Sequence, residues 1–397
     1  MREQAPRNPR PSRRWPSGRR PAVPAVATAA AALMTLGALA PSATASPDPV
    51  QPDPVQQGLN ALVSPDSVPG ALASVTDRDG RTRAYTAGVG NLATGAKVPR
   101  DGQVRIGSNT KAFTATVVLQ LVGEHKLRLD ATVHDYLPGV LRGDGGIDGR
   151  KITLRHLLQH RSGLPDYTKY LDDDIRPYEP RELLDRALKH TAHFKPGEKG
   201  KWEYTNTNYL VLGLIVEKVT RHTIAQEIDR RVIKRAGLRH TYFPAPGDAT
   251  LRERHPEGYY QSAPDAPLVN ATEWDPSWAW AAGQLVSTNS DLNRFYSALL
   301  GGRLLKGPQL KQMQRTVRAK YPFPKGARYG LGLVKTPLSC GGVSWGHGGS
   351  MTGYETRGGV VLKHGEPFRS VNVAVTTQPG QAVKDGMDRV VDRALCR

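Results

Sequence analysis

The stretch from Arg105 to Val122 constrains this chain more than any other. Gly107 and Ser108 open it, and Phe113, Val117 and Leu121, with Val118 and Val122, then recur three or four apart, the period of a helix. Ser108 therefore stands at a helix start. Lys111 follows one turn later, and residues three apart share a face, so its ammonium reaches the serine hydroxyl. A helix N-terminus adds unpaired N–H groups and a positive dipole end, which stabilise an anion forming beside Ser108. That is the geometry of an activated nucleophile. The competing reading is that Ser108 only caps the helix, a position serine favours, with Lys111 solvated. A lone Ser-x-x-Lys arises by chance about once per chain of ordinary composition, so on this stretch alone both readings stand.

The chain's 397 residues suffice for one large or two intimate domains with a substantial core. Seven arginines and Glu3 in residues 1–45 contribute +6 of the formal charge of +19 and leave +13 for the remainder. That remainder has its Lys and Arg scattered, without a zinc-ligand array, an RNA-binding aromatic motif or a basic zipper, so nucleic acid is not the expected partner. Attraction to anionic cell-wall polymers explains the charge as well. Residues 1–45 read as an export signal: arginines up to Arg20, an apolar alanine-rich run from Pro21 to Ala40, and the small-x-small Ala43-Thr44-Ala45 cleavage pattern. Arg13-Arg14 hints at twin-arginine export, but Pro16 follows closely and the route stays open. A secreted, cell-wall-side location follows. In that setting Cys340 and Cys396, the two cysteines, are expected to form a disulfide tying the last helix to a strand region.

Residues 46–56 carry four prolines and read as a disordered lead-in. Val55 to Leu62 is expected as a short helix, and Gly70–Thr76 and Arg83–Ala87 as a hairpin around Asp77-Arg-Asp-Gly80. Helices are predicted over 108–125, 153–160, 180–190, 206–221, 224–236 and 288–300, with Pro180 and Ser290-Asp291 as start signals for two of them. Strands are predicted at Tyr329–Val334, Val343–Trp345, Glu355–Lys363 and Ser370–Thr377, the last two joined through Gly365, before a final helix near Ala382–Leu395. Strands at both ends around a helical middle imply an α/β (α+β) fold. It has a mostly antiparallel five-stranded sheet flanked by terminal helices, and an inserted all-helical domain. One domain then spans 57–397, with 57–107 and 303–397 as its sheet part and 108–302 as its helical part.

Two further short motifs follow Ser108: Tyr204-Thr205-Asn206 just before an apolar helix, and His347-Gly348-Gly349-Ser350 just after the strand at Val343–Trp345. One match is weak, but three in this order, each at an element boundary, multiply their improbabilities. With them the chain resembles the penicillin-recognising serine hydrolases, that is, the serine DD-peptidases and class C β-lactamases, and among these the secreted DD-carboxypeptidases of Streptomyces. The likeness runs from about residue 57 to the C-terminus and includes His160–Tyr167, Tyr204–Tyr209, Ser277–Gly283 and Leu338–His347.

The resemblance implies that Ser108 attacks a carbonyl to form an acyl-enzyme, while Lys111 and Tyr204 hold the proton network. A phenol is a poor base at neutral pH, so nearby cations must lower the pKa of Tyr204 or pass its proton along. The resemblance further implies that Asn206 bonds the acyl-side amide, that His347 assists proton delivery to the leaving group, and that the backbone N–H groups of Ser108 and Ser350 form the oxyanion hole. Gly348 and Gly349 would let substrate approach the strand closely. Trp278 reads as lining the cleft and Trp280 as packing, while His160 and Arg161 order the loop bearing Asp166 and Tyr167. The family's carboxypeptidases carry a threonine where Gly348 stands and a carboxylate-binding arginine where Val334 stands. Lys335 is adjacent to Val334, but in a strand it points to the opposite face. A strict D-Ala carboxypeptidase is thereby a weaker reading than acyl transfer itself. The activity expected is that of a D-alanyl-D-alanine carboxypeptidase or β-lactamase-type peptidase acting on peptidoglycan peptides, with β-lactams as covalent ligands. Alternatives are an esterase or D-amino-acid amidase using the same residues, and a silent wall- or penicillin-binding module. Neither a cofactor nor a metal is expected, since the histidines lack ligand spacing, and a monomer is expected.

Overall fold

Alternation along two strands sets up the fold. In the computed structural model, which describes residues 53–397 apart from 144, 173, 174, 264 and 265, Gly70–Thr76 (β1) sends Leu72 into one core and Ala71, Ala73 and Val75 into another. Glu366–Val375 (β7) does the same with Ala374 against Val371, Val373 and Val375. Successive side chains of a strand point to opposite faces, so these strands bury both. Residues 51–397 form one compact unit. The expected export signal lies outside the described residues, as does most of the expected lead-in.

The sheet is antiparallel throughout. Its main strands are β1, Thr82–Asn91 (β2), Val334–Pro337 (β3), Val343–Gly346 (β4), Gly349–Met351 (β5), Tyr354–Lys363 (β6) and β7. Their order is β3-β4-β6-β7-β1-β2, with β5 also pairing β6. The register sets Ala71 opposite both Ala87 and Val375, Val334 opposite Gly346, and Gly349 opposite Thr356. Two-residue strands at Ala96–Lys97, Val317–Arg318 and Arg328–Tyr329 lengthen the sheet beyond the expected five strands. The expected strand Tyr329–Val334 is broken: it ends at Tyr329 and resumes at Val334. Between them Gly332 turns with φ +76°, and a Cβ there would lie 2.5 Å from Ala115 Cβ, so only glycine lets this turn press on the helix behind it.

One face is covered by the terminal helices Pro54–Leu62 (α1) and Gln381–Leu395 (α5), where Leu59, Leu62, Met387 and Val390 meet Val371 and Val373. The other face carries the main core, whose helices include Thr110–Gly123 (α2), Thr207–Thr220 (α3) and Asn289–Leu300 (α4). Helix α4 caps on Thr288 rather than at Ser290. Its Asn289 and Asn293 donate to the carbonyls of Leu72 and Ser74 at 3.1 and 2.8 Å, so it belongs to the sheet layer rather than to the helical insertion drawn to residue 302. The insertion is also not all helical, since short strand pairs join Arg142–Gly143 to Ile147–Asp148 and Tyr259–Tyr260 to Val269–Asn270. The Cys340–Cys396 disulfide clasps the end of α5 to the β3–β4 turn, and Ser339 N–H donates to Asp392 beside it at 2.8 Å.

Candidate active site

Helix α2 is buried along nearly its whole length, Thr110 through Leu121, which makes it the axis of the main core. A short 3-10 turn, Gly107–Asn109, leads into it and holds Ser108 half-exposed. Asn109 bolts this turn down: its Nδ2 donates to Ile106 O at 2.9 Å and to Thr356 Oγ1 at 2.8 Å, and its Oδ1 accepts from Tyr296 at 2.7 Å. Strand β5 presses on the same turn. A Cβ on Gly349 would stand 2.0 Å from Ile106 O and 2.9 Å from Ser108 N, and one on Gly107, which has φ +48°, 2.7 Å from Ser350 N. The main chains of Ser108 and Ser350 therefore lie side by side, the arrangement a two-donor oxyanion hole requires. Ser350 Oγ itself accepts from Gln378 at 3.0 Å.

Lys111 is fully buried, and its Nζ lies 2.9 Å from Ser108 Oγ, 2.7 Å from Asn206 Oδ1 and 2.9 Å from Ala282 O. Asn206 Nδ2 donates to Asp166 Oδ2 at 3.1 Å, which assigns the amide oxygen to the lysine. Two of the three neighbours, Asn206 Oδ1 and Ala282 O, can only accept. A neutral amine has two N–H groups for them and one lone pair left for the serine hydroxyl. Burial favours that neutral form, pushing the Lys111 pKa down to about 7 against a smaller upward pull from Asp166.

Tyr204 has a buried hydroxyl without a partner at bonding distance. It lies near enough to Ser108 for the serine to oppose, but not overcome, the burial that pushes its pKa well above the ordinary value. Of the two routes open to this phenol from sequence, the lowered pKa is thus not the one taken: Tyr204 keeps its proton. The Lys111 ammonium position sits 4.9 Å from the Tyr204 ring centroid. On the other side His160 packs against Tyr204 at 4.4 Å between centroids, with the rings tilted by 34°, and accepts from Thr205 N–H on Nδ1 at 3.3 Å. The loop after His160 is laced to the start of α3, with Thr207 Oγ1 donating to Pro165 O at 2.6 Å and Tyr167 N–H to Thr207 Oγ1 at 3.1 Å.

His347 is buried and held neutral, its pKa pushed down to about 3 by burial first and then by Lys111. Its Nδ1 donates to Gly348 O at 2.5 Å and its Nε2 accepts from Tyr329 Oη at 3.0 Å. Both ring nitrogens are thus engaged, Nδ1 with Gly348 O and Nε2 with Tyr329 Oη. Tyr329 was not legible in the sequence, because it reaches the site only through the broken strand. Trp278 is half-buried, packs against the main core and accepts from Tyr167 Oη through its carbonyl at 2.6 Å. Trp280 packs on Gly213 of α3, where a Cβ would lie 2.6 Å from its indole. Val334 is buried with Trp202 and Tyr329, and Tyr204 and Phe323 pack against this cluster, whereas Lys335 lies over the Trp345 ring at 5.6 Å. Gly348 is covered by Arg357, with a Cβ there 3.0 Å from Nη1, and Arg357 is paired with Glu355 and with Asp388 at 3.5 Å. Among the described residues no cluster of three or more His, Cys, Asp or Glu is placed to hold a metal.

The family model described as Beta-lactamase matches residues 56–395. The D-stereospecific amidohydrolase from Streptomyces sp. superposes with TM-score 0.76 at 36% identity, covering 86% of this chain and 98% of that one. The D-amino acid amidase from Ochrobactrum anthropi SV3 gives TM-score 0.74 at 26% identity, covering 86% and 97%. Penicillin-binding protein 4 of Amycolatopsis lactamdurans is 32% identical over 243 residues, 60% of this chain and 61% of that protein. Protein flp of Staphylococcus aureus (strain MW2) is 30% identical over 193 residues, 48% of this chain and 37% of its own length. The chain thus spans less than two thirds of these two curated relatives. With the match running over nearly all of the described residues, and with a serine, a buried lysine and a tyrosine gathered at the mouth of α2, the chain belongs to the beta-lactamase family of serine hydrolases.

Proposed function

We propose that this protein is an exported serine amidohydrolase that cleaves amide or peptide bonds of D-configured amino-acid substrates through an acyl-enzyme. The observation that carries the reading is the Ser108–Lys111–Asn206 triangle, in which a buried lysine with a pKa of about 7 faces the serine. The Lys111 lone pair takes the proton from Ser108 Oγ as the oxygen attacks the carbonyl carbon. The N–H groups of Ser108 and Ser350 hold the oxyanion. As the C–N bond breaks, Tyr204 gives its proton to the departing nitrogen and regains one from Lys111. Water then attacks the ester carbon, its proton passes back through Tyr204 and Lys111, and Ser108 is released with the acid.

An amidase is preferred to a strict carboxypeptidase because Val334 and Gly348 supply neither cation nor hydroxyl for a terminal carboxylate. The similarity to the Streptomyces amidohydrolase supports the same choice. Peptidoglycan peptides remain within the substrate class, and β-lactams are its covalent probes. Intact-mass analysis after adding a labelled penicillin or fluorophosphonate should show one adduct, lost in Ser108→Ala with the fold unchanged. An adduct persisting elsewhere in that variant would overturn the nucleophile assignment.

A further inference from the structure

Outside the catalytic cluster the described residues form an open cavity of about 1070 Å³ whose polar lining is almost all cationic, with six of its seven cations exposed to solvent. Arg161, Lys199 and Lys201 stand on one wall, and Arg318, Lys320, Lys325 and Arg328 on the other. No carboxylate lines it. Two of the seven are used by neighbouring main chain or hydroxyl, Arg161 donating to Gly197 O at 2.6 Å and Arg328 to Thr316 Oγ1 at 2.8 Å. None of the seven is in an ion pair among the described residues. Like charges gathered without counter-charge raise the local positive potential, which favours an anion there and weakens as salt is raised.

The cavity is joined to the chemistry by its floor. Trp202 and Phe323 line it. The Phe323 ring stands 5.6 Å from that of Tyr204 and 5.7 Å from that of His347, centroid to centroid. Ser108, Lys111, Tyr204 and His347 do not line the cavity themselves, so it lies past Phe323 from the reacting atoms. Its position on the Val334 side puts it where the nearest carboxylate contacts are missing, Val334 being apolar and Arg357 already paired with Glu355 and Asp388.

The geometry points to a subsite for an acidic peptide chain: the basic cavity behind Trp202 and Phe323 binds carboxylates carried by the substrate several atoms from the bond that Ser108 attacks. This rests on the amidohydrolase reading for its link to turnover, but binding itself can be read without turnover. The probe is dye-labelled tetraglutamate, followed by fluorescence anisotropy on full-length Ser108→Ala protein. Tetraglutamate should bind, release as salt is raised, and bind about tenfold more weakly when Lys199→Gln, Lys320→Gln and Lys325→Gln are combined. Tetraglutamine should not compete.

In the Ser108-containing triple variant, penicillin acylation should be unchanged, which reports an intact fold. Its kcat/KM should fall about tenfold for a D-amino-acyl substrate extended by glutamates and stay level for one extended by glutamines. Equal binding by wild-type and triple variant, competition by tetraglutamine, or displacement by a short phosphodiester oligomer that tetraglutamate cannot match would each overturn the proposal. If tetraglutamate binds as expected while the wild type hydrolyses no D-amino-acid amide or peptide, the subsite stands and the amidohydrolase reading falls. Turnover without tetraglutamate binding removes the subsite and leaves the amidohydrolase reading standing.

Discussion

At the residue scale the decisive quantity is the charge on Lys111. Burial lowers its pKa from 10.5 to about 7, so protein and unfolded chain hold the same proton below pH 7, and the folded form loses it first as pH rises. Catalysis that needs the neutral amine should therefore rise through an apparent pKa of about 7 in kcat/KM. Asp166 is the group opposing the shift, reaching Lys111 through Asn206. Asp166→Asn should thus move the rising limb to lower pH, and a pH–rate profile that stays put or moves upward would contradict the assignment. The same sign governs stability: the unfolded state binds more protons between about pH 7 and 10.5, so this group's destabilising effect is full below pH 7 and relieved as pH climbs through that window. Ser108, Lys111 and Tyr204 were legible because their motifs are local, a turn or two long. The Asp166 contact and the Tyr329 bond to His347 were not, since each joins segments that only tertiary packing brings together.

At the scale of elements, the site depends on β5 lying against the turn that begins α2. Gly349→Ala would drive a methyl to 2.0 Å from Ile106 O, a backbone atom that cannot rotate away. Strand and turn must then separate, displacing the N–H groups of Ser108 and Ser350. The expected result is a penicillin acylation rate reduced at least about a hundredfold, the scale of losing an oxyanion donor, with a stability cost of about 1–3 kcal/mol. Acylation at the wild-type rate, with the substitution confirmed by mass, would mean that the two main chains are not the functional pair. A second expectation concerns α5, whose end is fixed by the Cys340–Cys396 bond across 56 residues. Replacing both cysteines by alanine should lower urea stability by about 2–4 kcal/mol and leave the acylation rate within about twofold, because the clasp sits at the far end of β4 from His347. The alternating strands and apolar helices that build these layers could be read from sequence within a few residues. The break between Tyr329 and Val334 could not, because Gly332 is dictated by the close approach of α2 rather than by local propensity.

At the scale of the whole molecule, the question is what the cleft asks of the far end of a substrate. A carboxylate clamp needs a fixed cation with free donors, and arginine's bidentate fork supplies it better than lysine. Among the described residues around the reacting bond no such group is free: Val334 is packed among Trp202 and Tyr329, Lys335 lies on the opposite face over Trp345, and Arg357 is committed to Glu355 and Asp388. One good charged hydrogen bond is worth about 1.5–3 kcal/mol, or about 10- to 150-fold in relative efficiency, and this protein forgoes it for the residue next to the scissile bond. A short D-Ala-D-Ala peptide and its methyl ester should therefore be hydrolysed with kcat/KM values within about tenfold of each other. The seven cations behind Phe323 act farther out, on longer acidic chains, so they leave this comparison level while making extended acidic substrates sensitive to salt. A preference above about a hundredfold for the short free acid would show that Arg357 or Lys335 turns into the cleft when substrate binds. The carboxypeptidase reading would then replace the amidase one.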